Sequence, residues 1–121
     1  MLKRLILILA FFWILSVFAE SKTVTENNKV FLYMYTKECS YCDKFIPNYN
    51  KLEQLYGKKC TFLKQNASTD YGTGLMNDFK ATHVPFVALI DYEKHTIQRV
   101  APTCLLNYAC VKNAVDKFIS Q

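Results

Sequence analysis

Residues 30–56 read VFLYMYTKECSYCDKFIPNYNKLEQLY and contain the strongest indication of the fold. The first six residues of this stretch, 30–35, are apolar or aromatic and of types that favour strands, so they predict a buried strand. Large apolar side chains then recur at helical spacing, at Phe45, Tyr49, Leu52 and Tyr56. The stretch therefore predicts a strand followed by a helix that ends at Gly57, with the sequence CSYC at positions 39–42 on their junction.

The two cysteines of this junction lie at the start of the predicted helix, and that position gives them chemistry. The N-terminus of a helix has unsatisfied N–H groups and a partial positive charge, which stabilise a thiolate and lower its pKa. Cys39 comes first and is predicted to be the exposed nucleophile. Cys42, one turn later and more buried, is positioned to resolve a mixed disulfide formed on Cys39.

The rest of the chain is predicted to alternate between strands and helices. Strands are predicted at 61–65, 86–90 and 96–101, a short helix near 75–79 and a final helix around 111–119. The order βαβαββα indicates an α/β domain over residues 30–121, with a mixed four-stranded sheet and helices on both faces. We expect the first two strand–helix–strand connections to be right-handed crossovers.

The N-terminus has the pattern of an export signal. Lys3 and Arg4 precede an apolar run, and small or β-branched residues stand at Val17 and Ala19. Residues 1–19 are predicted to be a signal peptide cleaved after Ala19, followed by a polar tail at 20–29. The alternative is an uncleaved membrane anchor, although a spanning helix needs about 20 apolar residues. Both interpretations predict an exported domain, periplasmic or secreted.

Composition narrows the possible functions. The formal charge of the 121-residue chain is +5 and falls to +3 without the two basic residues of the leader, and the remaining basic residues are scattered. This argues against a nucleic-acid partner. All five cysteines lie after the predicted leader, which suits disulfide chemistry in an oxidising compartment, and their odd number leaves at least one unpaired within the chain.

Two other uses of a C-x-x-C motif fit the sequence less well. A c-type haem site needs a histidine directly after the second cysteine, and Asp43 is there instead. A structural zinc site needs four ligands, usually in two close pairs, but Cys104 and Cys110 are widely spaced and His83 and His95 are isolated. We therefore expect neither a metal nor a cofactor, and keep a metal-handling domain as an alternative.

Taken together, these features resemble the thioredoxin superfamily over most of the predicted domain. The resemblance rests on CSYC at the strand–helix junction, on Pro47 five residues after Cys42, and on His83-Val84-Pro85 before the third strand. It implies the thioredoxin fold and a thiol–disulfide oxidoreductase. It also implies that Pro85 is a cis-proline, and that Tyr41, Val84 and Pro85 form the substrate-binding site, where the Val84 backbone pairs with an extended substrate.

Several positions depart from the usual thioredoxin pattern. Glu38 replaces the tryptophan before the first cysteine, Ser40 and Tyr41 replace Gly-Pro, and Tyr33 replaces a buried acid in the preceding strand. A phenol, with an ordinary pKa near 10, is a poor general base at neutral pH. The direction of electron flow, reductase or oxidase and isomerase, therefore stays open. We expect a monomer that acts on protein thiols and disulfides, with a membrane-bound or exported redox partner.

The three remaining cysteines permit more than one arrangement. Cys104 and Cys110 are too far apart to be bridged within one continuous helix. A structural disulfide between them requires the final helix to start late, with Asn107 as its N-cap and Cys104 in the preceding loop. Otherwise they are two free or separately paired thiols. Cys60 is expected to be a small buried hydrophobic residue.

A second hypothesis competes with the redox enzyme. In it, the domain is a thioredoxin-fold binding module in which the Cys39–Cys42 disulfide is static. The location of Cys39 at a helix start favours the enzyme, because a static disulfide does not need an exposed nucleophile.

Overall fold

The computed structural model describes residues 28–121. The predicted leader, residues 1–19, and nearly all of the predicted tail lie outside the described residues. Four strands and four helices follow one another: β1 (Lys29–Tyr35), α1 (Ser40–Tyr56), β2 (Thr61–Asn66), α2 (Asp70–Asp78), β3 (Phe86–Asp91), β4 (Thr96–Val100), α3 (Pro102–Leu105) and α4 (Tyr108–Ser120). The α/β class and the mixed four-stranded sheet are confirmed, and the one-turn helix α3 is an addition that the sequence did not predict.

The sheet has the order β2-β1-β3-β4. The central strand β1 pairs in parallel with β2, where Phe31 lies opposite Phe62, and antiparallel with β3, where Phe31 lies opposite Leu89. Strand β4 completes the sheet as an antiparallel neighbour of β3. All six residues of β3 are buried, as expected for a strand covered on both faces, whereas β4 is mostly exposed at the edge.

The expected second crossover is wrong. β2 and β3 lie on opposite sides of β1 and run in opposite directions, so α2 does not join parallel strands. Helix α2 has nine residues and therefore rises only about 14 Å. The chain re-enters the sheet at the end where β2 left it, with Phe86 opposite Met34 near the C-terminal end of β1. The handedness rule applies only to the first connection, β1-α1-β2.

Helices cover the two faces of the sheet unequally. On one face, side chains such as Phe31, Tyr33 and Leu89 pack against the long helices α1 and α4 in the larger apolar cluster. On the other face, alternate residues of the same strands, such as Leu32 and Ala88, form a smaller cluster with α2. Successive side chains of a strand point to opposite faces, so β1 contributes to both clusters.

A tight turn joins β3 to β4 through local hydrogen bonds. The Asp91 carboxylate accepts the backbone N–H groups of Glu93 and Lys94, each at 3.1 Å. His95 closes the turn in the left-handed region, with φ of 55°. His95 thus belongs to this turn. Among residues 28–121, no helix is long and apolar enough to cross a membrane.

Candidate active site

The Cys39–Cys42 pair lies at the junction of β1 and α1, near the C-terminal end of the central strand. Cys39 is the N-cap of α1, and its Sγ accepts the backbone N–H of Cys42 at 3.1 Å. The two cysteines form a disulfide with a Cα–Cα distance of 5.2 Å. Cys39 is partly exposed, whereas Cys42 is buried in the larger apolar cluster. One sulfur therefore faces a helix N-terminus and is reachable, and the other is covered.

Tyr33 lies beneath this pair. Its ring is fully buried in β1, and its hydroxyl donates a hydrogen bond to the backbone carbonyl oxygen of Cys42 at 3.3 Å. Burial, reinforced by the negative charge of Asp43, raises the pKa of Tyr33 from 10.0 to about 12. The phenol consequently stays protonated at neutral pH and acts there as a hydrogen-bond donor rather than as a base.

The loop before β3 borders an open groove on one side of the pair. The Val84–Pro85 peptide bond is cis. Val84 packs against the apolar cluster that includes Cys39 and Cys42. Val84 and Pro85 share the groove, of about 230 Å³, with four other residues: Tyr41, Pro102, Thr103 and Leu106.

Tyr41 stands at the rim of this groove with 57% of its surface exposed. The Lys44 ammonium lies 5.2 Å from the centre of its ring, within the range of a cation–π contact. The structure therefore brings all three candidate substrate-binding residues, Tyr41, Val84 and Pro85, to one groove next to the dithiol.

A second disulfide joins Cys104 to Cys110, with a Cα–Cα distance of 5.3 Å. It forms because the chain changes direction at Asn107, whose side chain accepts the N–H of Cys110 and begins α4 there. Cys104 lies in the short helix α3 rather than in a loop, which corrects that part of the expectation. Cys60 is the free cysteine and is fully buried, as predicted, and burial raises the pKa of its thiol from 9.0 to about 11.

Another titratable side chain, His83, belongs to the loop that precedes β3. His83 is exposed, and its Nδ1 lies 3.5 Å from the Thr82 hydroxyl oxygen. Within residues 28–121, no three His, Cys, Asp or Glu side chains lie close enough together to hold a metal ion.

The residues on the far side of the groove, and the hydrogen bond that holds them in place, were not predicted from the sequence. Pro102, Thr103 and Leu106 reach the groove from α3 and the residue after it. The Asn48 side-chain amide of α1 donates to the Leu105 carbonyl oxygen at 2.9 Å. The only sequence signal for this segment is Pro102, which marks the end of β4 and the first turn of a helix.

No protein-family profile and no curated protein matches the sequence. Solved structures do resemble the chain. Mitochondrial thioredoxin 3 from Saccharomyces cerevisiae, in its oxidised form, is 18% identical with a TM-score of 0.63, and the match covers 84% of this chain and 89% of that one. Thioredoxin f from spinach chloroplast is 22% identical with a TM-score of 0.63, covering 76% of this chain and 71% of that one.

The thioredoxin of Malassezia sympodialis is 13% identical, with a TM-score of 0.65 and coverage of 81% of this chain and 83% of that one. These likenesses extend over most of each chain. The chain therefore has the thioredoxin fold, and the Cys39–Cys42 disulfide lies at the start of α1.

Proposed function

We propose that this protein is an exported thiol–disulfide oxidoreductase that exchanges disulfides with protein substrates through Cys39 and Cys42. One observation carries the proposal: Cys39 caps α1, its sulfur accepts the backbone N–H of Cys42, and it is bonded to the buried sulfur of Cys42. This donor and the helix dipole favour the thiolate form of Cys39 once the disulfide is reduced. The likeness to thioredoxins supports the same chemistry.

The difference in burial supports separate roles for the two sulfurs. In the reducing direction, the Cys39 thiolate attacks one sulfur of a substrate disulfide, the substrate S–S bond breaks, and the departing thiolate takes a proton from solvent. Cys42, after losing its own proton, attacks the Cys39 sulfur and releases the second substrate thiol. Two electrons and two protons pass to the substrate, and the Cys39–Cys42 disulfide is formed.

The reverse sequence oxidises a substrate dithiol, and the chemistry of the pair permits both directions. Each turnover leaves the pair in the opposite redox state, so a second thiol or disulfide must restore it. We propose that a membrane-bound or exported redox protein does so. The cytosolic thiol pool would not be accessible to an exported domain.

Two features support export. The apolar leader at residues 1–19 is the sequence signal for it. The disulfide between Cys104 and Cys110 is far from the reactive pair in sequence and is of a kind that persists mainly in oxidising compartments.

The groove beside the pair supports a polypeptide substrate. Tyr41, Val84 and Pro85 border it, and Val84 lies in a loop rather than in the sheet. We propose that an extended substrate segment lies along this loop and pairs with the Val84 backbone, so that its sulfur reaches Cys39.

Trapping of mixed disulfides tests the proposal. In Cys42→Ser, Cys39 still attacks but nothing resolves the product, so mixed disulfides with exported proteins should accumulate and run as extra bands on non-reducing gels. Cys39→Ser should accumulate none and should not reduce insulin in the presence of dithiothreitol. Cys60→Ser is the matched control, because that thiol is buried. If wild type is as inert as a folded Cys39→Ser variant, the disulfide is static and the proposal fails.

A further inference from the structure

One wall of the groove beside the dithiol takes no part in the proposed disulfide exchange. Pro102, Thr103 and Leu106 supply this wall, opposite the loop that contains Val84 and Pro85. None of the six residues that border the groove carries a charge, and five of them present mainly apolar surface. The groove includes Tyr41, which lies between the two cysteines in sequence, and Val84, which packs against the same apolar cluster as Cys39.

The helix that forms most of this wall, α3, is too short to be stable without contacts to the rest of the domain. Helix α3 has four residues, and its N-cap Ala101 makes no side-chain capping hydrogen bond. A single helical turn gains few hydrogen bonds for the residues it orders and is not stable alone. The placement of Thr103 and Leu106 therefore depends on what ties α3 to the rest of the domain.

Three ties hold this segment. Leu105 is fully buried in the larger apolar cluster. Its carbonyl oxygen accepts a hydrogen bond from Asn48 of α1, the helix that begins at the reactive pair. The third tie is covalent, because the Cys104–Cys110 disulfide joins α3 to the first turn of α4. Two groove residues, Thr103 and Leu106, stand on either side of Cys104 and Leu105.

We propose that the Cys104–Cys110 disulfide is a positioning element that sets substrate selectivity, because it holds Leu106 and Thr103 as the wall of a subsite for an apolar side chain next to the substrate cysteine. The inference rests on the proposed function and deepens it. The substrate class is an extended polypeptide with an aliphatic or aromatic residue beside its reactive cysteine. The fixed wall lets that side chain leave water without the groove having to be ordered first.

Oxidation of synthetic dithiol peptides tests this directly, because the protein with both disulfides formed is then the reagent. The peptides form pairs that differ only in leucine or serine, placed immediately before or after the reactive cysteine. Rates are measured by acid quenching and chromatography. We expect wild type to prefer leucine over serine about fivefold to tenfold in at least one position, as partial burial of one aliphatic side chain implies.

The variants test the groove residue Leu106 separately from the Cys104–Cys110 disulfide that holds it in place. Leu106→Ser should bring the leucine-to-serine ratio close to one. Leu55→Ser is the matched control, since Leu55 is an exposed leucine near the far end of α1, and it should keep the wild-type ratio. Cys104→Ala/Cys110→Ala should lower the ratio although all groove side chains are retained. If that double variant does not fold, Asn48→Ala removes another tie and should lower the ratio with both disulfides in place.

Each result decides one part of the inference. If wild type oxidises both members of every pair at equal rates, the subsite is wrong while the proposed function stands. If the folded double-alanine variant melts at a lower temperature but keeps the full leucine preference, the disulfide is structural and its positioning role is overturned. If wild type oxidises no peptide and does not exchange with dithiothreitol, the proposed function fails, and this inference with it.

Discussion

The Tyr33 hydroxyl donates a hydrogen bond to the backbone carbonyl oxygen of Cys42 at 3.3 Å. Tyr33 stands where thioredoxins place a buried acid, but its pKa is raised to about 12, chiefly by burial. The neutral phenol thus hydrogen-bonds to the backbone of Cys42. Tyr33 supports the first turn of α1, and in the proposed mechanism the proton of Cys42 leaves by another route.

Tyr33→Phe tests this assignment. We expect the free energy of unfolding to fall by about 1 kcal/mol, since one buried hydrogen bond is lost while the ring packing is kept. Insulin reduction should stay within about twofold of wild type, because an ionisation near pH 12 adds no step at neutral pH. Urea unfolding and initial rates between pH 6 and about pH 9 measure the two effects. A tenfold slower variant with an altered pH profile would show instead that Tyr33 moves a proton.

Alkaline pH should weaken the fold through groups that ionise more easily in the unfolded chain. Burial raises the pKa of Cys60 from 9.0 to about 11 and that of Tyr33 and Tyr49 from 10.0 to about 12. Above the unfolded value, the unfolded chain binds fewer protons than the folded one, so stability falls as pH rises. The decline should therefore begin near pH 9 and steepen above pH 10.

Urea unfolding at a series of alkaline pH values measures this decline. Tyr33→Phe/Tyr49→Phe should flatten the part above pH 10, because two of the responsible phenols are gone. Tyr92→Phe is the control, since 59% of this tyrosine is exposed in the folded protein. An equal decline in the double variant and in wild type would assign the alkaline instability to other groups.

Replacing each of two glycines in α2 by alanine should have opposite effects on the stability of the fold. A Cβ on Gly72 would lie 1.8 Å from the Asn66 carbonyl oxygen at the end of β2, which is backbone and cannot turn away. Gly72→Ala should therefore cost about 3 kcal/mol by overpacking. A Cβ on Gly74 meets nothing within 4 Å, so Gly74→Ala should stabilise by about 0.5–1 kcal/mol through helix propensity. Thermal unfolding of both variants compares them, and equal shifts would contradict the close approach of α2 to β2.

Loss of the second disulfide should lower the free energy of unfolding by a measurable amount. Cys104 and Cys110 are six residues apart. Releasing so short a loop in the unfolded chain should cost about 2 kcal/mol in Cys104→Ala/Cys110→Ala. Urea unfolding without reductant measures the loss, and the same titration of Cys60→Ala shows what replacing a buried cysteine costs without breaking a bond. A loss well under 1 kcal/mol would mean that the unfolded chain stays compact around this loop.

The secondary-structure elements, and the chemistry that depends on neighbours along the chain, could be predicted from the sequence alone. Periodicities of two and 3.6 residues are local, so strand β1, helix α1 and the position of Cys39 at the helix start could be predicted. The Asn107 N-cap is equally local, and it indicated how Cys104 and Cys110 could approach each other.

Features that depend on how the elements pack against one another required the three-dimensional structure. β3 enters the sheet antiparallel to β1, and periodicity along the sequence carries no strand direction. Leu106 shares a groove with Tyr41 because Leu105 is buried, Asn48 donates to it, and the second disulfide closes. The hydrogen bond from Asn48 to Leu105 joins residues 57 positions apart along the chain. Patterns along a sequence report which face of an element is buried, whereas the partner of that face is selected by packing of the whole domain.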